Sequence, residues 1–248
     1  TIARRRRGCQ GSSPRRPARG ILSHMSKEYE VPAFKAVLRE HVDHEGQTDD
    51  RKLLQIGDDK NLVVRRMVYW EDDEKEMFGT LPPEERATFM THVFSELRDK
   101  YNIPVVPFRF VVALDEEKQE TLFAVVDNVT PVEMTPQQNE SKTLELLERL
   151  VVYYEQKAES GAPFLWDISE DRQYVYGTTK DNQNPELYLV DLDPHIREGA
   201  KALIHELGQL RGEITTASWN FESEESRPYT KLIKRVDTLS EQLGQSKK

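Results

Sequence analysis

The run Leu189-Val190-Asp191-Leu192-Asp193-Pro194 contains two carboxylates with very different demands on their surroundings. Asp191 stands between Val190 and Leu192 at the end of an apolar stretch, where a carboxylate costs several kcal/mol unless a cation or hydrogen-bond donors face it. It therefore requires a partner from elsewhere in the fold. Asp193 has a local use, because Asp followed by Pro194 has the form of an N-cap with proline at the first helical position, opening a helix at His195. His41-Val42-Asp43-His44 is a second candidate: two imidazoles three apart on a helical turn, with Asp43 or Glu45 nearby, have metal-ligand spacing. Two histidines without a third ligand make a weak site, and a solvated helix end accounts for them. His195 and His205, ten apart, suit a helix start and a polar helix face. No Gly-x-Ser-x-Gly, Walker loop or His-Glu-x-x-His occurs, and the one cysteine, Cys9, lies in a basic amino-terminal segment, so thiol catalysis has no candidate. Tyr153-Tyr154 and Tyr174-Val175-Tyr176 stand in acidic surroundings that suit core packing better than base stacking.

The 248 residues include 35 Lys and Arg against 44 Asp and Glu, for a net charge of −9. Residues 1–24 carry seven arginines and no acid, so the remainder, from Met25 onward, holds −16. The cluster Arg4 to Arg7 has the charge of a phosphate-binding arm. The same segment has no apolar period and is rich in Pro, Gly and Arg, which is the composition of a disordered basic tail or of an upstream extension before a start at Met25. An acidic body is expected to repel nucleic acid, leaving that tail as the one element suited to it. No stretch reaches the roughly 18 apolar residues of a membrane span, and one cysteine excludes a disulfide scaffold and favours a reducing compartment. The expectation is a soluble, cytoplasmic, globular chain.

Phe34, Val37, Leu38 and His41 suggest one or two helical turns. Lys52 to Ile56 and Asn61 to Trp70 are β-rich runs joined by Gly57-Asp58-Asp59-Lys60, which has hairpin chemistry. Pro82-Pro83-Glu84-Glu85 then opens a helix reaching Tyr101, with Phe89, Met90, Val93, Phe94 and Leu97 on its inner face, and Pro104 and Pro107 stop it. Strands are expected over Phe108 to Leu114 and Thr121 to Val129, followed by a link marked by Pro131 and Pro136. A long helix runs from about Glu140 to Glu159, with Leu144, Leu147, Val151 and Tyr154 inward and Gly161 past its end. Short apolar runs follow at 163–168, Gln173 to Tyr176 and Leu187 to Leu192. Two helices close the chain, one with Ile196, Ala200, Leu203, Leu207 and Leu210, the other with Tyr229, Leu232, Val236 and Leu243.

That order of elements is similar to the protein-kinase-like fold, in the shortened form of aminoglycoside and other small-molecule phosphotransferases. The resemblance spans about Lys52 to Pro194. It implies a two-lobed α+β fold, with a small sheet-plus-helix lobe over 25–130 and a reduced helical lobe over 131–248. It also implies ATP and magnesium as cofactors. Asp191, at the end of an apolar strand, takes the place of the aspartate that such enzymes present to magnesium, since a hard cation needs carboxylate oxygen on a rigid support. Arg65 takes the place of the family's phosphate-holding lysine, with Glu96 on the following helix as its partner, although a guanidinium is larger than an ammonium and differs in geometry. Backbone groups at Asp127, Asn128 and Val129 would face the adenine. Asp167, in Leu165-Trp166-Asp167, stands where the family has the His-x-Asp aspartate that accepts the proton of a substrate hydroxyl.

Three departures accompany the resemblance. Five residues after Asp167, where the family has a metal-binding asparagine, stands Arg172, which leaves Gln173 as the nearest oxygen donor for magnesium. Trp166 and Leu165 replace the rest of the loop signature. The glycine-rich loop is replaced by Gly57-Asp58-Asp59, whose carboxylates each repel a polyphosphate by about 1 kcal/mol even in water. Two functions compete. One is a degenerate kinase-like protein that binds a protein partner, or binds nucleotide without efficient turnover. The other is an active magnesium- and ATP-dependent phosphotransferase acting on a hydroxyl. Without the resemblance, an acidic interaction module with no nucleotide site remains. The departures favour the first.

Overall fold

The computed structural model describes residues 36–39, 53–56, 62–67, 81–114, 120–192, 196–219 and 227–245, which form an α+β fold. Five antiparallel strands make the main sheet: β1 (Ala36–Arg39), β2 (Leu53–Ile56), β3 (Leu62–Arg66), β4 (Phe108–Leu114) and β5 (Glu120–Asp127), in the spatial order β1-β2-β3-β5-β4. The helical turn expected around Val37 and Leu38 is instead β1, paired with β2 in the register Ala36↔Ile56 to Arg39↔Leu53. Four residues are too few to separate a period of 3.6 from one of 2, and cross-strand pairing decides between them. The His41–His44 pair, the Gly57–Lys60 turn and the segment 1–24 lie outside the described residues.

Between β3 and β4 runs α1 (Pro83–Tyr101), with Pro83 in its first turn and Glu84 and Glu85 at its positive end, as the sequence predicts. Met90, Phe94, Leu97 and Tyr101 are buried, and Phe94 meets Phe108 and Phe110 of β4 at centroid distances of 5.7 and 5.9 Å. The helix ends at Asn102, held left-handed at φ 53°, and the Asn102 and Ile103 N–H groups return to the Leu97 carbonyl. The chain then passes through Pro104 to Pro107 as an extended connector that bonds two ways. Leu189 N–H donates to the Pro104 carbonyl and Val106 N–H to the Leu189 carbonyl, while Asp127 N–H donates to the Pro107 carbonyl. One connector thus fixes the end of β5 and the strand that leads to Asp191.

After β6 (Thr130–Pro131) comes α2 (Pro136–Ser160). It starts earlier than its apolar period indicates because Thr135 and Gln138 form a reciprocal capping box, with proline in the first turn. Gly161 closes it at φ 64°. A two-residue strand, β7 (Phe164–Leu165), pairs with β10 (Ile196–Arg197), and β8 (Tyr174–Thr178) lies between β6 and β9 (Glu186–Leu189). Gly177 permits the β6–β8 crossing, since a Cβ there would stand 2.2 Å from the Thr130 carbonyl oxygen. Two helices follow, α3 (Ala200–Ser218) and α4 (Arg227–Gln245). The helix expected to open at Asp193-Pro194 begins only at Ala200: Ile196 and Arg197 are buried in the pairing with β7, and Gly199 at φ 87° precedes the helix. One continuous apolar core joins Phe94, Phe110 and Leu122 to Leu150, Leu189, Leu207 and Val236. Among the described residues no helix is long and apolar enough to cross a membrane.

Candidate functional site

The segment after β7 is tied down at several points before it reaches any exposed group. Leu165 N–H donates to the Tyr153 hydroxyl at 2.8 Å, and the Tyr174 hydroxyl donates to the Ile168 carbonyl at 2.8 Å. Glu206, on the inner face of α3 and fully buried, accepts from the Tyr154 hydroxyl and the Ser169 hydroxyl, each at 2.7 Å, through a single oxygen. The Trp166 ring stacks on the His205 ring at 4.9 Å and has the Arg197 guanidinium 5.2 Å from its centroid. Burial, reinforced by the nearby Glu206 charge, drives the Tyr154 hydroxyl well above its ordinary pKa, so it acts as a neutral donor. The result is a braced loop in which Asp167 is held left-handed at φ 69°, a conformation that Asp tolerates better than most side chains.

Asp167 therefore projects from a fixed base, and Arg172 answers it. The Arg172 guanidinium is bonded to Glu170 and lies 3.8 Å from Asp167 Oδ2. Asp191 follows the β8–β9 hairpin, two residues past the end of β9. In that hairpin Tyr174 opposes Leu189 and Val190 N–H donates to the Gln173 carbonyl, and Arg172 lies just before it in a 3-10 turn over Asp171–Gln173. The Arg172 charge is stabilised first by the Glu170 bond and then by the charges of Asp167 and Asp191, which raises its pKa. Burial, with the Asp167 carboxylate beside it, raises the Glu170 pKa although Arg172 pulls the other way. Gln173 is buried, and its backbone carbonyl holds the hairpin.

Glu96 faces elsewhere. Its Oε2 accepts from Lys157 Nζ of α2 at 2.9 Å, and its Oε1 accepts from Lys100 at 3.2 Å and the Tyr101 hydroxyl at 3.4 Å. Among the described residues its cationic partners are thus lysines, and the buried one belongs to α2 rather than to the sheet. Arg65 sits in the interior of the sheet, its backbone between Leu53 of β2 and Ala124 of β5, and its side chain lies outside the described residues. Asp127 ends β5, where its N–H is already given to Pro107, and Val129 packs over Gly177 next to β6. Of the residues singled out from the sequence, Asp167 lies near Arg172, Gln173 is buried with its backbone bonded to the residue before Asp191, Asp127 and Val129 flank the β5–β6 connection, and Glu96 braces α1 on α2.

Lys157 and Glu206 were not singled out from the sequence. Each falls on an inward stripe, Lys157 after Leu150 and Tyr154, Glu206 between Leu203 and Leu210, and a charge in such a stripe signals a buried partner. No three carboxylate, imidazole or thiol groups among the described residues are arranged to hold a metal ion. A guanidinium already lies against Asp167 and Glu170, so these residues as they stand do not fit magnesium. No family model, curated protein or solved structure matches this chain.

Proposed function

We propose that the chain is a degenerate, kinase-like two-lobed protein that works by binding, either a protein partner or a nucleotide without efficient turnover, in the cytoplasm. Support for the kinase-like part comes from the strand order β1-β2-β3-β5-β4, with α1 entering between β3 and β4, and from a β8–β9 hairpin that leads into Asp191. The observation that carries the loss of phosphotransfer is Arg172. Phosphoryl transfer relies on metal ions to neutralise the charge that develops on the transferred group. Here the Arg172 guanidinium is paired with Glu170 and lies near Asp167, and its charge opposes a divalent ion. Glu96, engaged with Lys157 and Lys100, favours the same conclusion, because the acid expected to steady the phosphate-holding cation is already occupied.

Thermal unfolding in millimolar ATP, with and without magnesium, tests the reading. A ligand at a hundred times its Kd stabilises a fold by about 2.7 kcal/mol. The proposal expects either no shift or a shift that magnesium leaves unchanged, with no ADP formed. A magnesium-dependent shift accompanied by ADP would overturn it in favour of the active phosphotransferase.

A further inference from the structure

The centres of β4 and β5 are apolar on both faces, the pattern of strands covered from two sides. Phe110, Val112, Leu122 and Ala124 belong to the apolar core, which α1 meets there through Phe94. Side chains alternate along a strand, so Val111, Phe123 and Val125 stand on the opposite face. They are 5%, 4% and 2% exposed, yet they lie outside that core. The register extends this face across the sheet, with Val64, Leu54 and Leu38 in one row with Val125. We propose that residues 25–35, the chain immediately before β1, lie across this second face and cover it. The other segments outside the described residues suit the place poorly. Those at 40–52, 57–61, 115–119 and 246–248 carry one apolar residue between them, Val42, residues 1–24 carry seven arginines, and 193–195 and 220–226 join elements of the helical part. The connection 68–80 is tied at both ends to the first face, since Met67 is in the core with its N–H on the Leu122 carbonyl and Leu81 packs on the same core. Residues 25–35 bring Met25, Tyr29, Val31 and Phe34, and their Glu28 and Glu30 suit a face that holds the exposed Arg109 in register with Val125. From β1 to β5 is three strand spacings, about 14 Å, and residues 25–35 reach about 16 Å even as a helix.

Methyl NMR on the wild-type full chain tests the assignment. Through-space contacts from the Val111 and Val125 methyls and the Phe123 ring to Tyr29 and Phe34 of the same molecule are expected. Their absence, contacts to 68–80 instead, or contacts only between differently labelled copies would overturn it, the last in favour of a dimer formed through this face. Tyr29→Ser combined with Phe34→Ser should speed amide exchange at Val111, Phe123 and Val125 by about tenfold, the factor that the burial of one large apolar side chain supports, and leave α2 and α4 as in wild type. Deletion of 1–24 should leave exchange at all these positions unchanged. Exchange unaltered by the double variant, or raised as much by the deletion, would also overturn the assignment. None of these readouts involves nucleotide, so they stand apart from the kinase-like reading.

Discussion

Lys157 is 8% exposed, and its ammonium meets the Glu96 carboxylate at 2.9 Å, so the pair joins α1 to α2 in a partly dry contact. The Tyr101 and Tyr153 rings meet edge to face at 5.0 Å beside it, and Arg149 donates to the Asn102 carbonyl. Glu96→Gln keeps the shape and removes the charge, leaving a buried ammonium without its carboxylate. Breaking a buried pair from one side costs 3–5 kcal/mol, but Glu96 is 23% exposed and an amide oxygen still accepts, so the expected loss is about 2.5 kcal/mol. For a chain of this size that lowers Tm by roughly 8 °C. Lys157→Met keeps the apolar stem and leaves Glu96 its exposed bond to Lys100, for a loss of about 1 kcal/mol. The double variant should be no less stable than Glu96→Gln alone, which gives a coupling of about 1–2 kcal/mol in urea unfolding followed by tryptophan fluorescence. Burial works to raise the Glu96 pKa, but the bonds to Lys157 and Lys100 overcome it and leave the carboxyl below its ordinary value. Its contribution is accordingly full above the unfolded pKa and is lost as pH falls through the folded one, and Glu96→Gln should remove that part of the acid sensitivity. Additive single losses, or an unchanged pH profile, would refute this account of the helix contact.

Gly177→Ala places a Cβ 2.2 Å from the Thr130 carbonyl oxygen, a backbone atom that cannot swing away, and should cost about 3 kcal/mol in urea unfolding. Thr135→Ala removes the side-chain acceptor for Gln138 N–H and should cost about 1 kcal/mol, read as earlier amide exchange in the first turn of α2. Tyr154→Phe removes one of the two donors to the buried Glu206 carboxylate, whose second oxygen has no hydrogen-bond partner among the described residues. It should cost about 2 kcal/mol and loosen the Asp167 loop in amide exchange.

Much of the frame can be read from the sequence where local chemistry and period agree. Pro82-Pro83-Glu84-Glu85 before a strongly periodic run fixes α1, and the aromatic and β-branched text of Phe108 to Leu114 fixes β4. The reading failed where long-range pairing overrode local form. Val37 and Leu38 suit either period until β2 pairs with them, and Asp193-Pro194 looks like a helix start until Ile196 and Arg197 are taken up by β7. The site was half legible for the same reason. Asp191 announced its need for a partner through Val190 and Leu192, but that its charge is felt at Arg172 depends on the pairing of β8 with β9, which no local pattern shows. Glu96 was visible as an acid beside an apolar face, yet its partner Lys157 lies 61 residues away on another helix, beyond the reach of any local pattern.

The central claim is that a side-chain cation stands in for the metal, and the backbone amides of Asp167 and Asp191 in the wild-type protein report on it most directly. Their NMR signals, followed while magnesium and then ATP are added, should stay in place with magnesium alone, and no ADP should accumulate. Displacement of both signals by millimolar magnesium, followed by ADP on addition of ATP, would contradict the account.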